Sequence, residues 1–174
     1  LLSKLANLTE LTLKGPGVTD EGLESLPALT KLKRLDLTTA GISDAALEPI
    51  GQIENLEVLT LRKTTISADG LSKLTGLSKL RALDLRNVDV TNEALPFIGK
   101  LTNLADLQLE RAKISAEGIA ELLPLKKLRS INLNTIGVDN ETLKVLGQLP
   151  ALEAIQLDSA LITDQGMKYL KPLS

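Results

Sequence analysis

Cysteine, histidine and tryptophan are absent from this 174-residue sequence, and phenylalanine, tyrosine and methionine occur once each. Without cysteine there is no disulfide framework and no thiol chemistry, and the absence fits any compartment. Lacking histidine as well, the chain has no group that trades protons near neutral pH, and nucleophilic triads and zinc sites fall away. The scarcity of aromatic residues removes the usual anchors of tight interfaces. An excess of one charge is missing too: 20 basic residues against 22 acidic ones leave a net charge of −2, so no long-range field draws in nucleic acid or an anionic membrane, and neither is expected as a partner. No run approaches the roughly 18 apolar residues of a membrane span, and Leu1 to Leu8 lacks the basic start and apolar stretch of a signal peptide.

What the sequence does contain is a repeat. Taking Leu8, Leu32, Leu56, Leu80, Leu104, Leu128 and Leu152 as position 1, each step is 24 residues without insertion or deletion. Positions 1, 4, 6, 11, 16, 19 and 22 are Leu, Ile, Val or Met in every unit. The first unit gives Leu8, Leu11, Leu13, Val18, Leu23, Leu26 and Leu29; the last gives Leu152, Ile155, Leu157, Ile162, Met167, Leu170 and Leu173. The expectation is one domain over 1–174, with seven repeats preceded by a partial one over residues 1–7.

Two periods share each unit. Positions 4 and 6 alternate as a strand does, while positions 16, 19 and 22 recur every three residues as one face of a helix does. Between them Thr19-Asp20, Ser43-Asp44, Thr91-Asn92 and Thr163-Asp164 offer capping oxygens to a helix start. Stacked units would put the strands into one parallel sheet and the helices on the opposite side, burying a continuous aliphatic core that no unit buries alone.

The pattern Leu-x-x-Leu-x-Leu followed by x-x-x-x-[Ile/Val]-[Ser/Thr] resembles the leucine-rich repeat over essentially the whole chain. Thr19 to Leu23 and Thr163 to Met167 are similar to the 24-residue repeats of bacterial, notably planctomycete, proteins and to the cysteine-containing class of eukaryotes. The resemblance implies an α/β fold: a right-handed, horseshoe-shaped solenoid with a concave parallel sheet and convex helices. It implies a protein-recognition scaffold with no enzyme activity and no cofactor.

One column departs from the family. Position 9, where Asn, Cys or Thr usually bonds the turn after the strand, reads Pro16, Ala40, Thr64, Val88, Ala112, Ile136 and Ala160. Thr64 alone retains that chemistry, so looser or wetter turns are expected, with the apolar residues partly tucked under the strand.

A second period lies inside the first. Position 15 is Gly22, Gly70, Gly118 and Gly166 in odd units but Ala46, Ala94 and Thr142 in even ones, whereas position 20 is Gly51, Gly99 and Gly147 in even units but Pro27, Thr75, Leu123 and Lys171 in odd ones. The underlying unit is therefore a pair of repeats, 48 residues. Basic and acidic return loops alternate with it. Neighbouring strands lie roughly 4.8 Å apart, so Lys33, Glu57 and Arg81 at position 2 are expected to form a ladder of alternating sign that stabilises the stack.

Positions 3, 5, 7 and 8 point away from the core onto the face that the resemblance makes the recognition surface. Position 5 reads Thr12, Asp36, Thr60, Asp84, Gln108, Asn132 and Gln156, and its even-unit acids follow the pair duplication. Position 7 ignores it: Lys14, Thr38, Arg62, Arg86, Glu110, Asn134 and Asp158 run from basic to acidic. Arg62, Arg86 and Glu110, with Asp84 at position 5 and Lys63 and Arg111 at position 8, are the candidate partner-binding residues for a protein or peptide. Asp36 and Asp84 are separated by the strand of Thr60, about 9–10 Å, too far to share one metal ion. Phe97 and Tyr169, both at position 18, are read as fillers between helices.

Leu2 and Leu5 fall on positions 19 and 22 of a preceding unit, the chain closes at position 23, and polar caps are missing. Two expectations follow: a piece of a longer protein, or a structural element that stacks end to end on copies of itself.

Overall fold

The computed structural model describes residues 5–158 and 161–170. Leu2, Ala160, Lys171 and Leu173 of the repeat grid lie outside the described residues. Each unit places a three-residue strand at positions 3 to 5: β1 (Glu10–Thr12), β2 (Arg34–Asp36), β3 (Val58–Thr60), β4 (Ala82–Asp84), β5 (Asp106–Gln108), β6 (Ser130–Asn132) and β7 (Ala154–Gln156). They form one open seven-stranded sheet in sequence order. All pairs are parallel, with Leu11 opposite Leu35, Leu35 opposite Leu59 and Leu59 opposite Leu83. Backbone bonds carry the ladder past the strand ends, as from Leu37 N–H to the Thr60 carbonyl and from Thr39 N–H to the Arg62 carbonyl, each 2.9 Å.

Short helices return the chain on the other side: α1 (Asp20–Leu23), α2 (Leu47–Gly51), α3 (Ala68–Ser72), α4 (Leu95–Ile98), α5 (Ala116–Ala120), α6 (Asn140–Leu146) and α7 (Asp164–Met167). None would be stable alone, because a helix this short gains too few hydrogen bonds to offset its nucleation cost. Packing holds them. Grid residues of units two to six are buried, Leu47, Leu56, Leu74 and Leu104 completely; Ile114 alone among them is half-buried. In the outer layers the grid thins: Leu11 and Leu170 are half-buried and Met167 is 52% exposed. Truncating an inner leucine to alanine would cost about 2–5 kcal/mol.

In units two, four, five and six the turn after the strand is closed by the position 9 amide, which donates to the position 6 carbonyl, as in Ala40 to Leu37 at 3.0 Å and Ala112 to Leu109 at 2.9 Å. Position 8 takes the left-handed conformation in units one to six: φ is 96° at Gly15, 60° at Thr39, 56° at Lys63, 58° at Asn87, 69° at Arg111 and 58° at Thr135. Position 9 side chains of units two to six pack fully beneath the strand, Ala40 at 4% and Val88 at 2% exposure, whereas Pro16 of unit one is exposed. Thr64 bonds as expected, its hydroxyl donating to the Leu61 carbonyl at 2.6 Å.

Position 12 is the N-cap throughout, in extended backbone, but its side chain caps only in part. Ser43, Ser67 and Asp139 accept from the first helical turn, whereas Thr19, Thr91, Ser115 and Thr163 make no capping bond. Position 12 residues also join successive units, the capping Ser67 among them. Asp44 accepts from Ser67 N–H at 2.7 Å and from its hydroxyl at 2.6 Å; Asn92 and Asn140 likewise accept from the Ser115 and Thr163 N–H groups but donate their amide nitrogens to the hydroxyls, each at 2.9 Å.

Asp20 accepts from Ser43 in the same way as Asp44 from Ser67, at 2.8 and 2.6 Å, in a unit that carries Ala46 at position 15, so the alternating glycines follow how closely the units approach and not the link itself. A Cβ on Gly70 would lie 2.3 Å from the Asp44 carboxylate, and one on Gly118 would lie 2.1 Å from the Asn92 amide oxygen. At the same junctions, a Cβ on Gly51 would meet the Lys73 carbonyl at 2.3 Å and one on Gly99 the Glu121 carbonyl at 2.2 Å. Both glycine columns therefore admit close approach between an even unit and the odd unit after it. Phe97 and Tyr169 are half-buried on the helical side. Tyr169 packs against the core, and lysines cover both rings, Lys100 at 5.4 Å and Lys168 at 4.9 Å from the centroids.

Candidate interaction surface

The solvent face of the sheet is built by a backbone that alternates direction, so positions 5 and 7 of each unit project together beyond the leucines at 4 and 6. Even units lock the two positions to each other. Asp36 accepts from Thr38 N–H at 3.0 Å and from its hydroxyl at 2.6 Å; Asn132 accepts from Asn134 N–H at 2.9 Å. Asp84 accepts from Arg86 N–H at 3.0 Å, then from Arg86 Nε at 2.9 Å and Nη2 at 2.6 Å. The even-unit Asp, Asp and Asn thus hold the position 7 amide in the turn, a local job that the duplication copied.

Charges on this face are partly spent on one another. Lys14 pairs with Asp36 at 2.8 Å; burial pushes the Asp36 carboxyl up, but the hydrogen bonds from Lys14 and Thr38 outweigh it and hold it below the ordinary value. The bidentate bond from Asp84 keeps Arg86 firmly protonated against its partial burial, with Glu110 and Asp106 adding to the effect. Arg62 differs. Its Nε is buried without a hydrogen-bond partner among the described residues, and no even-unit acid shares its repeat.

The candidate residues divide accordingly. Asp84 and Arg86 line one shallow cleft of about 370 Å³ with Thr60, Asp106 and Gln108. Arg111 lines a neighbouring one of about 410 Å³ with Asn87, Asp89 and Lys113. Arg62, Lys63 and Glu110 line neither, and Lys63 and Arg111 stand exposed at the left-handed turn position. The sequence placed these side chains on one face; it did not reveal that Arg86 is satisfied internally. Nor did it reveal the left-handed turn, for which Gly15 and Asn87 at position 8 were the available signal. Asp36 and Asp84 lie on β2 and β4 with β3 between them. Among the described residues, no group of three or more His, Cys, Asp or Glu is arranged to hold a metal ion, and no helix is long and apolar enough to cross a membrane.

Comparison with known proteins gives the architecture its relatives. The family model described as Leucine Rich repeat matches residues 4–26 and 28–51. An internalin C2 from Listeria monocytogenes superposes with a TM-score of 0.71 at 24% identity, over 99% of this chain and 80% of that one. Another internalin from the same organism superposes with a TM-score of 0.54 at 22% identity, over 99% of this chain and 67% of that one. At these identities the likeness is one of fold. No curated protein matches the chain.

Proposed function

We propose that this leucine-rich-repeat protein is a protein-interaction scaffold that recognises a protein or peptide on the concave face of its sheet, through Arg62, Lys63, Asp84, Arg86, Glu110 and Arg111. The reading rests on Arg62. A guanidinium carries five donors and stays charged, and that of Arg62 makes no ion pair or hydrogen bond with a described residue, so its outer nitrogens are available to a partner's acceptor while the buried Nε fixes its stem against the sheet. Arg62 is then the anchor, and the Asp84–Arg86 pair beside it is a rigid, nearly neutral flank.

The experiment is affinity capture from the source cell with the native chain and with Arg62→Glu, at matched circular dichroism. Loss of the captured protein in the variant supports the reading, and unchanged recovery removes it. Arg86→Glu is a poorer probe, since it would set a second acid against Asp84 and disturb the turn. End-to-end self-association is the second reading, carried by Leu5 at 48%, Leu161 at 72% and Met167 at 52% exposure. Light scattering over a concentration series tests it, and a mass that stays at one chain eliminates it.

A further inference from the structure

Where the chain returns to each strand, two columns of polar side chains run along the edge of the solenoid. At position 24, lysine and asparagine alternate: Lys31 donates to Asn7 at 2.7 Å, Lys79 to Asn55 at 2.5 Å, and Lys127 to Asn103. Asn55 and Asn103 in turn donate to the Thr30 and Ser78 carbonyls, each at 2.7 Å. At position 2 the alternation is of charge. Glu57 accepts Lys33 at 3.1 Å on one side and Arg81 on the other, the ladder expected from the sequence, and Glu153 accepts Arg129 at 2.8 Å.

One rung is different. Even units carry Lys33, Arg81 and Arg129; odd units three and seven carry Glu57 and Glu153; unit five carries Ala105. Arg81 and Arg129 each have a carboxylate on their outer side, and between them stands a methyl group. Their strands are about 9–10 Å apart, with that of Ala105 midway. A cleft of about 550 Å³ opens there, lined by Lys79, Arg81, Lys127 and Arg129 with Glu57 the one acid, and it is larger than either cleft described on the sheet face. Both arginine side chains are 63% exposed.

The molecule contains its own template for what fits. Two units earlier, Glu57 occupies the same register between two cations and is held below the usual carboxylate range by the hydrogen bond from Lys33, then by that from Arg81. We propose that the Ala105 gap is a binding site for an acidic side chain, a Glu or Asp presented by an extended segment of a partner protein, which completes the ladder between Arg81 and Arg129 while Lys79 and Lys127 receive neighbouring acids.

A protein segment suits this edge better than a nucleic acid. Positions 23, 24 and 2 carry seven cations and three carboxylates, in a chain whose net charge is −2. The rest of the surface is therefore strongly acidic and repels a polyanion that extends beyond the edge. The two aromatic rings that could stack bases, Phe97 and Tyr169, lie on the helical side. The site is separate from the sheet face, and it stands or falls independently of Arg62.

The test is fluorescence anisotropy with a labelled hexaglutamate peptide at low ionic strength, using the whole chain. Saturable binding is expected. Ala105→Glu, which lets the chain supply its own carboxylate and completes its ladder without threatening the fold, should weaken binding about tenfold or more, as should Arg81→Gln/Arg129→Gln. Arg62→Glu should leave it unchanged, which separates this site from the sheet face. Absence of saturable binding, or equal binding by the native chain and Ala105→Glu, overturns the proposal. So does displacement of the peptide by inorganic phosphate at lower concentration than by free glutamate, or tighter binding of an oligothymidylate, since either would assign the gap to phosphate chemistry.

Discussion

Two glycines that look alike in the sequence should respond oppositely to alanine. Gly70 faces the Asp44 carboxylate at the distance a Cβ would need, and Asp44 is holding Ser67. Gly70→Ala should therefore cost about 1–3 kcal/mol in urea unfolding, because the added methyl overlaps the Asp44 carboxylate and must push it aside. Gly22, with nothing within 4 Å of its Cβ position, sits in α1, where alanine should instead add about 0.5–1 kcal/mol. A common sign for the two variants would refute the junction account of the glycine columns. The alternation was legible in the sequence, but its cause was not, because the partner of Gly70 lies on the preceding repeat. Asp139 tests a cap at the same scale. Its carboxylate accepts Thr142 N–H and then the Thr142 hydroxyl, each at 2.9 Å, and these hold it below the ordinary aspartate value of 3.8. A depressed folded value means that the stabilisation is complete above that ordinary value and is lost as pH falls through the folded one. Asp139→Ala should lower stability by about 1 kcal/mol at pH 7, and the difference from native should shrink in acid.

At the scale of the element, the turn after the strand shows where sequence reasoning stopped. Strand, helix and register followed from the leucine grid, because burial imposes the same spacing on every unit. The turn did not, because Thr39, Lys63, Arg111 and Thr135 are residues that give no hint of a positive φ. Their neighbours impose it: at Thr39 and Arg111 the ladder bond from position 8 and the closing amide bond from position 9 hold the backbone, at Lys63 the Thr64 hydroxyl closes the turn in place of the amide, and the Thr135 amide donates to the Asp158 carboxylate. A side-chain-bearing residue in that conformation costs about 1–2 kcal/mol, and glycine returns about 0.5–1 kcal/mol of that as backbone entropy. Lys63→Gly should accordingly leave thermal stability unchanged or slightly raised. A drop of more than about 1 kcal/mol would count against the strain. If the same variant loses partner capture, the loss belongs to the ammonium group and not to misfolding. The candidate site was legible only as a face. Which of its charges are free depends on the bond between Asp84 and Arg86, two residues apart, and sequence spacing does not reveal whether such neighbours pair.

For the whole molecule, the pair is the unit that can be removed. Deleting residues 32–79 joins unit one to unit four and keeps an odd unit before an even one. Deleting only residues 56–79 sets Ala94 where Gly70 met Asp44 and brings Lys33 beside Arg81 without Glu57 between them. The shorter protein should therefore unfold at a higher urea concentration than the longer one, although nearest-neighbour stacking alone predicts the reverse. Equal loss per residue in both would mean that the repeats stack without regard to parity.

The pairing also gives the edge a pitch. Lys31 with Lys33, Lys79 with Arg81, and Lys127 with Arg129 recur every second strand, about 9.6 Å apart. A polyproline II chain advances about 3.1 Å per residue, so three of its residues span nearly the same length. For the acidic segment proposed at the Ala105 gap, the edge would thus serve as a ruler, with an acid at every third position standing opposite successive lysines.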